Sequence, residues 1–272
     1  MISKISNRIR KSPRLARLAL ACMPDFHIRI RVPEIGPLRI RLKRDRYLWL
    51  RPPLANEWYP LAALKSLVRP GDTVWDVGAH LGLYSRWLIQ HLKAGTVCAF
   101  EPLPQNLPEL EHNLALGKLG EKVKAFPWAL AKTRAEAESW AHGLRPVTQK
   151  VTTRSIDSVL AKREVPVPAV IKLDVEGAER EVLEGGRQFF GGPSARLLIE
   201  THGLEVSREC LKFLFETGHT VAACVPGSWS ETRHMILKPE TLKRVQDQYD
   251  AHFILAVKNR AEMPTALDYA NL

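Results

Sequence analysis

Thr73-Val74-Trp75-Asp76-Val77-Gly78-Ala79-His80-Leu81-Gly82-Leu83-Tyr84 is an apolar run that stops at a glycine-bearing turn and restarts as a helical pattern. A buried strand turning directly into a helix is the opening unit of an α/β sheet. In such a sheet, ligands bind outside the carboxyl ends of the strands, so the turn at 76–82 is the default site. Gly78 lets the backbone approach a ligand closely, and Gly82 lets the helix pack against the strand. The free N–H groups of the helix start can receive a carboxylate. The glycines follow Gly-x-x-x-Gly rather than Gly-x-Gly-x-x-Gly, which argues against the pyrophosphate of a dinucleotide.

The same rhythm continues on both sides of this turn. Short apolar runs at 97–100, 123–127, 170–174, 196–199, 219–223 and 252–257 read as strands, and the segments 61–68, 84–92, 103–116, 156–161, 178–183 and 207–217 read as helices. Apolar strands separated by helices imply an α/β fold with a doubly wound, mostly parallel sheet covered on both faces. Upstream the period drops to two. Phe26, Ile28, Ile30 and Val32 alternate with His27, Arg29 and Arg31, and after Pro33-Glu34-Ile35-Gly36-Pro37 the alternation resumes with Leu38, Ile40 and Leu42. That pattern predicts a β-hairpin with an apolar face toward the body and an arginine face outward. Residues 1–22 mix basic and apolar side chains around Pro13 and read as a loose basic tail or a membrane-surface helix. The chain therefore divides into a basic N-terminal extension at 1–51 and a main domain at 52–272.

Charge follows the same division. The chain of 272 residues carries a net charge of +11, and residues 1–51 hold 14 Lys and Arg against 3 Asp and Glu, so the remainder is neutral. A positive extension attracts phosphate-bearing partners such as nucleic acid, anionic lipid head groups or sugar phosphates, without choosing among them. With 45% apolar and 25% charged residues the composition is that of a globular protein, which excludes wholesale disorder. No apolar stretch reaches the roughly 18–20 residues of a membrane span, and Arg14 and Arg17 interrupt the only candidate signal-peptide core. Cys22, Cys98, Cys210 and Cys224 are far apart, which argues against both a disulfide framework and a zinc cluster. A cytoplasmic location follows, peripheral at a membrane if the extension binds lipid.

Several strand ends carry chemistry. Glu101 follows the strand at 97–100, where an acidic residue can accept hydrogen bonds from both hydroxyls of a ribose, so with the turn at 76–82 it points to an adenosine-containing ligand. Ile171-Lys172-Leu173-Asp174-Val175-Glu176-Gly177-Ala178-Glu179 delivers carboxylates to the rim of the same cleft. Asp174 is poised to hold a cationic group or to take a proton, while Glu176 and Glu179 also suit a helix start. Leu198-Ile199-Glu200-Thr201-His202 repeats the arrangement one strand on.

Together these residues resemble a known family. Asp76-Val77-Gly78-Ala79-x-x-Gly82-x-Tyr84, Glu101-Pro102 with Asn113 beyond, Thr153-x-x-Ile156-Asp157, and 171–179 with Leu183 and Gly185 are similar to the FkbM family of S-adenosylmethionine-dependent methyltransferases. The resemblance spans about 56–205 and implies a class I, Rossmann-like methyltransferase fold and O-methylation of a sugar or polyketide hydroxyl. The cofactor-binding residues it implies are Asp76, Gly78, Ala79, His80, Gly82 and Tyr84 from the first turn. Glu101, Pro102 and Asn106 follow from the second, with Ala129 and Asp174 beyond. His80 stands where the family usually has Asn, and Ala131-Lys132 where an acidic or small polar residue is more usual.

S-adenosylmethionine suits the residues independently, having an adenosine for Glu101, an amino-acid end for the glycine turn, and no pyrophosphate. Its methyl group is already activated, so the enzyme's task is to align an acceptor hydroxyl and relieve it of its proton. Asp174 is the first choice for that base, followed by Glu176 and His202. In a further reading, Asp174 and Glu200 share a divalent cation that acidifies the acceptor. The expected partner is a small molecule or glycan. An RNA methyltransferase would place positive charge around the cleft, which disfavours nucleic acid here. A non-catalytic adenosine-binding scaffold would leave the cleft carboxylates idle. The acceptor-selecting residues are expected in 140–150 and 225–234, which contain Trp140 and Trp229.

Overall fold

The computed structural model describes residues 24–50, 54, 57–133, 136–140, 148–193, 195–225, 233–237 and 253–264. The tail at 1–22 and Trp229 lie outside them, as does most of the expected acceptor-selecting sequence. The alternation at 26–42 is a hairpin, β1 (His27–Val32) and β2 (Gly36–Arg41), paired antiparallel with Ile28 opposite Ile40 and Ile30 opposite Leu38. A short helix α1 (Arg46–Leu50) follows, then α2 (Trp58–Leu67), β3 (Thr73–Val77), α3 (Leu83–Gln90), β4 (Thr96–Phe100), α4 (Leu107–Leu116) and β5 (Val123–Phe126). A small polar excursion comes next, made of β6 (Ala129–Leu130), β7 (Glu136–Trp140) and β8 (Thr148–Arg154). The chain returns through α5 (Ile156–Ala161), β9 (Val170–Leu173), α6 (Glu179–Glu184), α7 (Arg187–Gly191), β10 (Arg196–Glu200) and α8 (Leu204–Glu216). It closes with β11 (Thr220–Val225), β12 (Arg233–Leu237) and β13 (Phe253–Val257).

Eight strands form one sheet in the order β12-β11-β13-β10-β9-β3-β4-β5. The pairings from β10 through β5 are parallel, and those of β10 with β13, β13 with β11, and β11 with β12 are antiparallel. The chain runs outward from β3 to β5, then returns to β9 on the other side of β3, so the order reverses between β3 and β9. Ligand clefts open at such a switch point. Alternate residues of each strand feed two cores, one on each face: Val74, Val97, Val170 and Leu198 on one side, Trp75, Cys98, Ile171 and Leu197 on the other. This is the mostly parallel, doubly wound sheet the pattern dictates.

The hairpin shares the first of those cores. Leu38 and Ile40 are fully buried beside α2 and α3 residues, each contributing about 1.5–3 kcal/mol by burial. Polar contacts fix its position. Asn113 on α4 accepts a hydrogen bond from Arg39 N (2.7 Å) and donates to Arg39 O (3.0 Å) and Leu81 O (3.1 Å). Buried Arg86 on α3 donates to the carbonyls of Ile35 and Pro37 at the hairpin turn. One side chain, Asn113, thus ties the extension to the turn that follows β3. Asn113→Ala leaves those three backbone groups without their partner and is expected to cost about 2–3 kcal/mol in urea unfolding. A loss below about 0.5 kcal/mol would contradict the tie.

Candidate active site

Four strand ends, those of β3, β4, β9 and β10, face a cleft of about 930 Å³. Gly78 N and Ala79 N both donate to Phe100 O at 3.0 Å, and Asp174 N donates to Val77 O at 3.0 Å, so the turn after β3 is fastened to both neighbouring strands. At Gly78 φ is +84°, and a Cβ there would lie 1.7 Å from the carbonyl oxygen of Asp174. Only glycine fits. Gly82, φ +81°, has its close neighbour in Leu110 of α4 at 2.8 Å from a built Cβ, so it serves packing of α3 on α4 rather than on the strand. His80 has φ +49°, a conformation Asn, Asp and His adopt more readily than other side chains.

Glu101 is 4% exposed and organises the second wall. One oxygen accepts from Leu103 N (2.9 Å) and Asn106 Nδ2 (3.2 Å), the other from His80 N (2.9 Å). Burial pushes its carboxyl above the ordinary value against the pull of those donors. A carboxylate offers about four acceptor positions, so three donors leave room for one more, and Glu101 lies in the cleft wall. Leu103 N is engaged by this side chain, and the expected helix at 103–116 begins later, at Leu107. Gly78, His80, Tyr84, Pro102, Asn106, Ala129, Asp174, Glu176 and His202 line the cleft with Glu101. Asp76, Ala79 and Gly82 stand behind its wall. Asp76 is fully buried, accepts from Ser85 Oγ at 2.6 Å and lies 3.4 Å from Lys172 Nζ.

The segment 174–179 is held by its last residue. Glu179, fully buried, accepts from Val175 N (3.3 Å) and Gly177 N (3.1 Å), while Glu176 and Gly177 sit at φ +58° and +103°. The same Glu179 oxygen lies 2.8 Å from His202 Nδ1. His202 Nε2 is 3.4 Å from Glu176 and 3.8 Å from Asp174. The hydrogen bond to Glu179, opposed by burial and aided by the charges of Glu176, Glu179 and Asp174, raises the imidazole to about 9. An imidazole raised in this way favours its charged form at neutral pH, in which it donates rather than accepts a proton.

Lys172 is buried in β9 with its ammonium 3.1 Å from Asp174, 3.4 Å from Asp76 and 4.7 Å above the Tyr84 ring. Burial alone would lower its pKa, but Asp174, Asp76 and Glu200 outweigh it and the group stays charged. Tyr84 donates to Glu57 at 2.6 Å. Burial and the charge of Asp174 push the Glu200 carboxyl up to about 8. The donor set does not suit a divalent cation. Asp174, Glu176 and His202 offer atoms within 4.8 Å of one another, but the Asp174 carboxylate is already engaged by the Lys172 ammonium at 3.1 Å and the imidazole by Glu179 at 2.8 Å.

Sequence reasoning missed Lys172, Glu57 and Trp128. A lysine inside a four-residue buried strand had to be paired, and that signal was present. Trp128, tilted against Phe126 with Arg154 4.0 Å over its ring, belongs to a cleft wall built by β6, only two residues long, and the mostly polar β8. Nothing local marks Glu57.

A sheet with this strand order, with an acidic residue closing the second strand beside the glycine turn, is a doubly wound α/β fold with its cleft at the switch point. Residues 76–237 match the family model for the methyltransferase FkbM domain, more than half of the chain, and the chain belongs to that family. It is 30% identical over 170 residues to the hexuronic acid methyltransferase AglP of Haloferax volcanii, covering 57% of this chain and 69% of that one. It is 25% identical over 198 residues to the 31-O-demethyl-FK506 methyltransferase FkbM of Streptomyces tacrolimicus, covering 57% and 75%. Among solved structures it is similar to methyltransferase FkbM of Methylobacillus flagellatus KT, at 18% identity and a TM-score of 0.47 over 68% of this chain, and spans 43% of that one.

The folded pKa of His202 lies above its ordinary 6.5, so its stabilising contribution is complete below about 6.5 and is lost as pH rises through about 9. Its imidazole signal by NMR is expected to titrate near 9, and Glu179→Gln to move that midpoint down toward 6.5. A wild-type midpoint below about 7 would contradict the ion-paired arrangement.

Proposed function

We propose that the chain is an S-adenosylmethionine-dependent O-methyltransferase whose acceptor is a sugar or polyketide-like hydroxyl. The observation that carries the reading is Glu101, a buried carboxylate of the cleft wall that is oriented by its own loop and by His80 N and keeps acceptor capacity beyond those three donors. The names of the two relatives, one acting on a hexuronic acid and one on a demethylated FK506, support an oxygen acceptor of that kind. Among the described residues Gln105 Oε1, also on the cleft wall, has no hydrogen-bond partner and is open to a ligand donor.

In this reading Glu101 takes the ribose hydroxyls, and Pro102 and Asn106 flank them. The backbone of Gly78 and His80 meets the amino-acid end, and the wall of Trp128 and Ala129 receives the base. Bound S-adenosylmethionine supplies an electrophilic methyl group on sulfur. Asp174 receives the proton of the acceptor hydroxyl. Lys172 and His202, cations on either side of it, fix the position of its carboxylate. Glu176 is the alternative acceptor of that proton, and its rim position gives it a role in seating the sugar.

Calorimetry separates these roles. Glu101→Gln removes one acceptor and is expected to weaken cofactor binding about tenfold. Asp174→Asn is expected to lower transfer of a labelled methyl group by about 10²–10⁴-fold, with cofactor affinity changed far less. Unaltered affinity in the first variant, or unaltered transfer in the second, would refute the respective assignment.

A further inference from the structure

The outer face of the hairpin has no role in the cleft, yet its charge is costly. The register places Arg29 opposite Arg39 and His27 opposite Arg41 on one face, with Arg31 next along β1. Like charges directly opposite one another across a strand pair are destabilising. Two carboxylates relieve part of this: Glu109 takes Arg39 and His27, and Asp25 takes Arg41 at 3.1 Å. Arg29 and Arg31 are exposed and have no ion pair among the described residues. The surplus is felt nearby, since burial first and then the charges of Arg39 and Arg29 hold the His112 imidazole below its ordinary value.

At the open end of the hairpin the surface turns aromatic. Phe26 is 52% exposed and Trp49 36% exposed. Leu42 joins them, its N–H donating to Phe26 O and its carbonyl accepting from Trp49 Nε1 at 2.7 Å. Arg44 and Asp45, a few residues beyond β2, line the cleft. A surface that engaged the hairpin would thus lie beside the cleft mouth.

We infer that the arginine face of the hairpin, with Phe26 and Trp49 at its rim, docks on an anionic phospholipid surface. Anionic headgroups neutralise Arg29 and Arg31, and exposed aromatic rings suit the boundary between headgroups and acyl chains. A polyanion threading into the cleft would instead meet Glu57, Asp174 and Glu176, which disfavours RNA as the occupant. This narrows the expected anionic contact of residues 1–51 to two arginines and a pair of rings. It stands independently of the reaction proposed for the cleft.

Vesicle flotation of the full chain tests it, comparing phosphatidylcholine alone with phosphatidylcholine containing about one-third phosphatidylglycerol at about 0.15 M salt. The wild type is expected to float only with the anionic vesicles. The double variant Arg29→Gln, Arg31→Gln is expected to partition about 30-fold more weakly, as roughly fivefold per arginine implies, with a melting temperature no lower than that of the wild type. Phe26→Ser with Trp49→Ser is expected to weaken it further. Wild-type partitioning of the arginine variant, or equal binding to neutral vesicles, would overturn the inference. So would single-stranded RNA binding that disappears in the variant while vesicle binding persists.

Discussion

The carbonyl oxygen of Asp174 occupies the space where any side chain on Gly78 would have to be. That backbone contact brings the ends of β3 and β9 together at the point where the sheet reverses its order. Phe100 O holds the same turn from the other side by accepting two N–H groups. With the three strand ends locked, Glu101, His80 and Asp174 have fixed relative positions before any ligand arrives. Preorganisation of this kind lets binding energy go into alignment rather than into ordering the site.

The electrostatics are built around the same locked ends. Asp76, Asp174, Glu176, Glu179, Glu200 and Glu57 gather within a small volume, and Lys172 and His202 sit between them. Carboxylates crowded together disfavour one another's charged forms, and nearby cations relieve this. Lys172 bridges Asp76 and Asp174, His202 is held protonated by Glu179, and Glu200 is driven toward its neutral form. A cleft arranged this way favours a cationic ligand and leaves Asp174 as the carboxylate held between two fixed cations.

Much of this was legible in the residues alone, because burial leaves a periodic signature. The strands at 73–77 and 170–173 are continuous apolar runs, and the hairpin alternates with period two, so each declares its faces. The turn at 76–82, Glu101 and Asp174 were readable for a related reason: they sit where those signatures stop. The rest depended on contacts between segments distant in sequence. That Gly82 answers to Leu110, that Asn113 serves the hairpin, and that Glu57 reaches Tyr84 are facts of packing with no local trace. The wall made by β6 and β8 escaped because β6 is only two residues long and β8, mostly polar, pairs with it across more than twenty residues of chain. The protonation of His202 likewise needed Glu179 at its back, which spacing alone does not show.

The account is tested most directly by a crystal structure of this chain with S-adenosylhomocysteine bound. The ribose hydroxyls are predicted to sit on Glu101, the amino-acid end along Gly78 and His80, and the sulfur toward Asp174. A ligand lodged elsewhere, or one whose ribose makes no contact with Glu101, would contradict it.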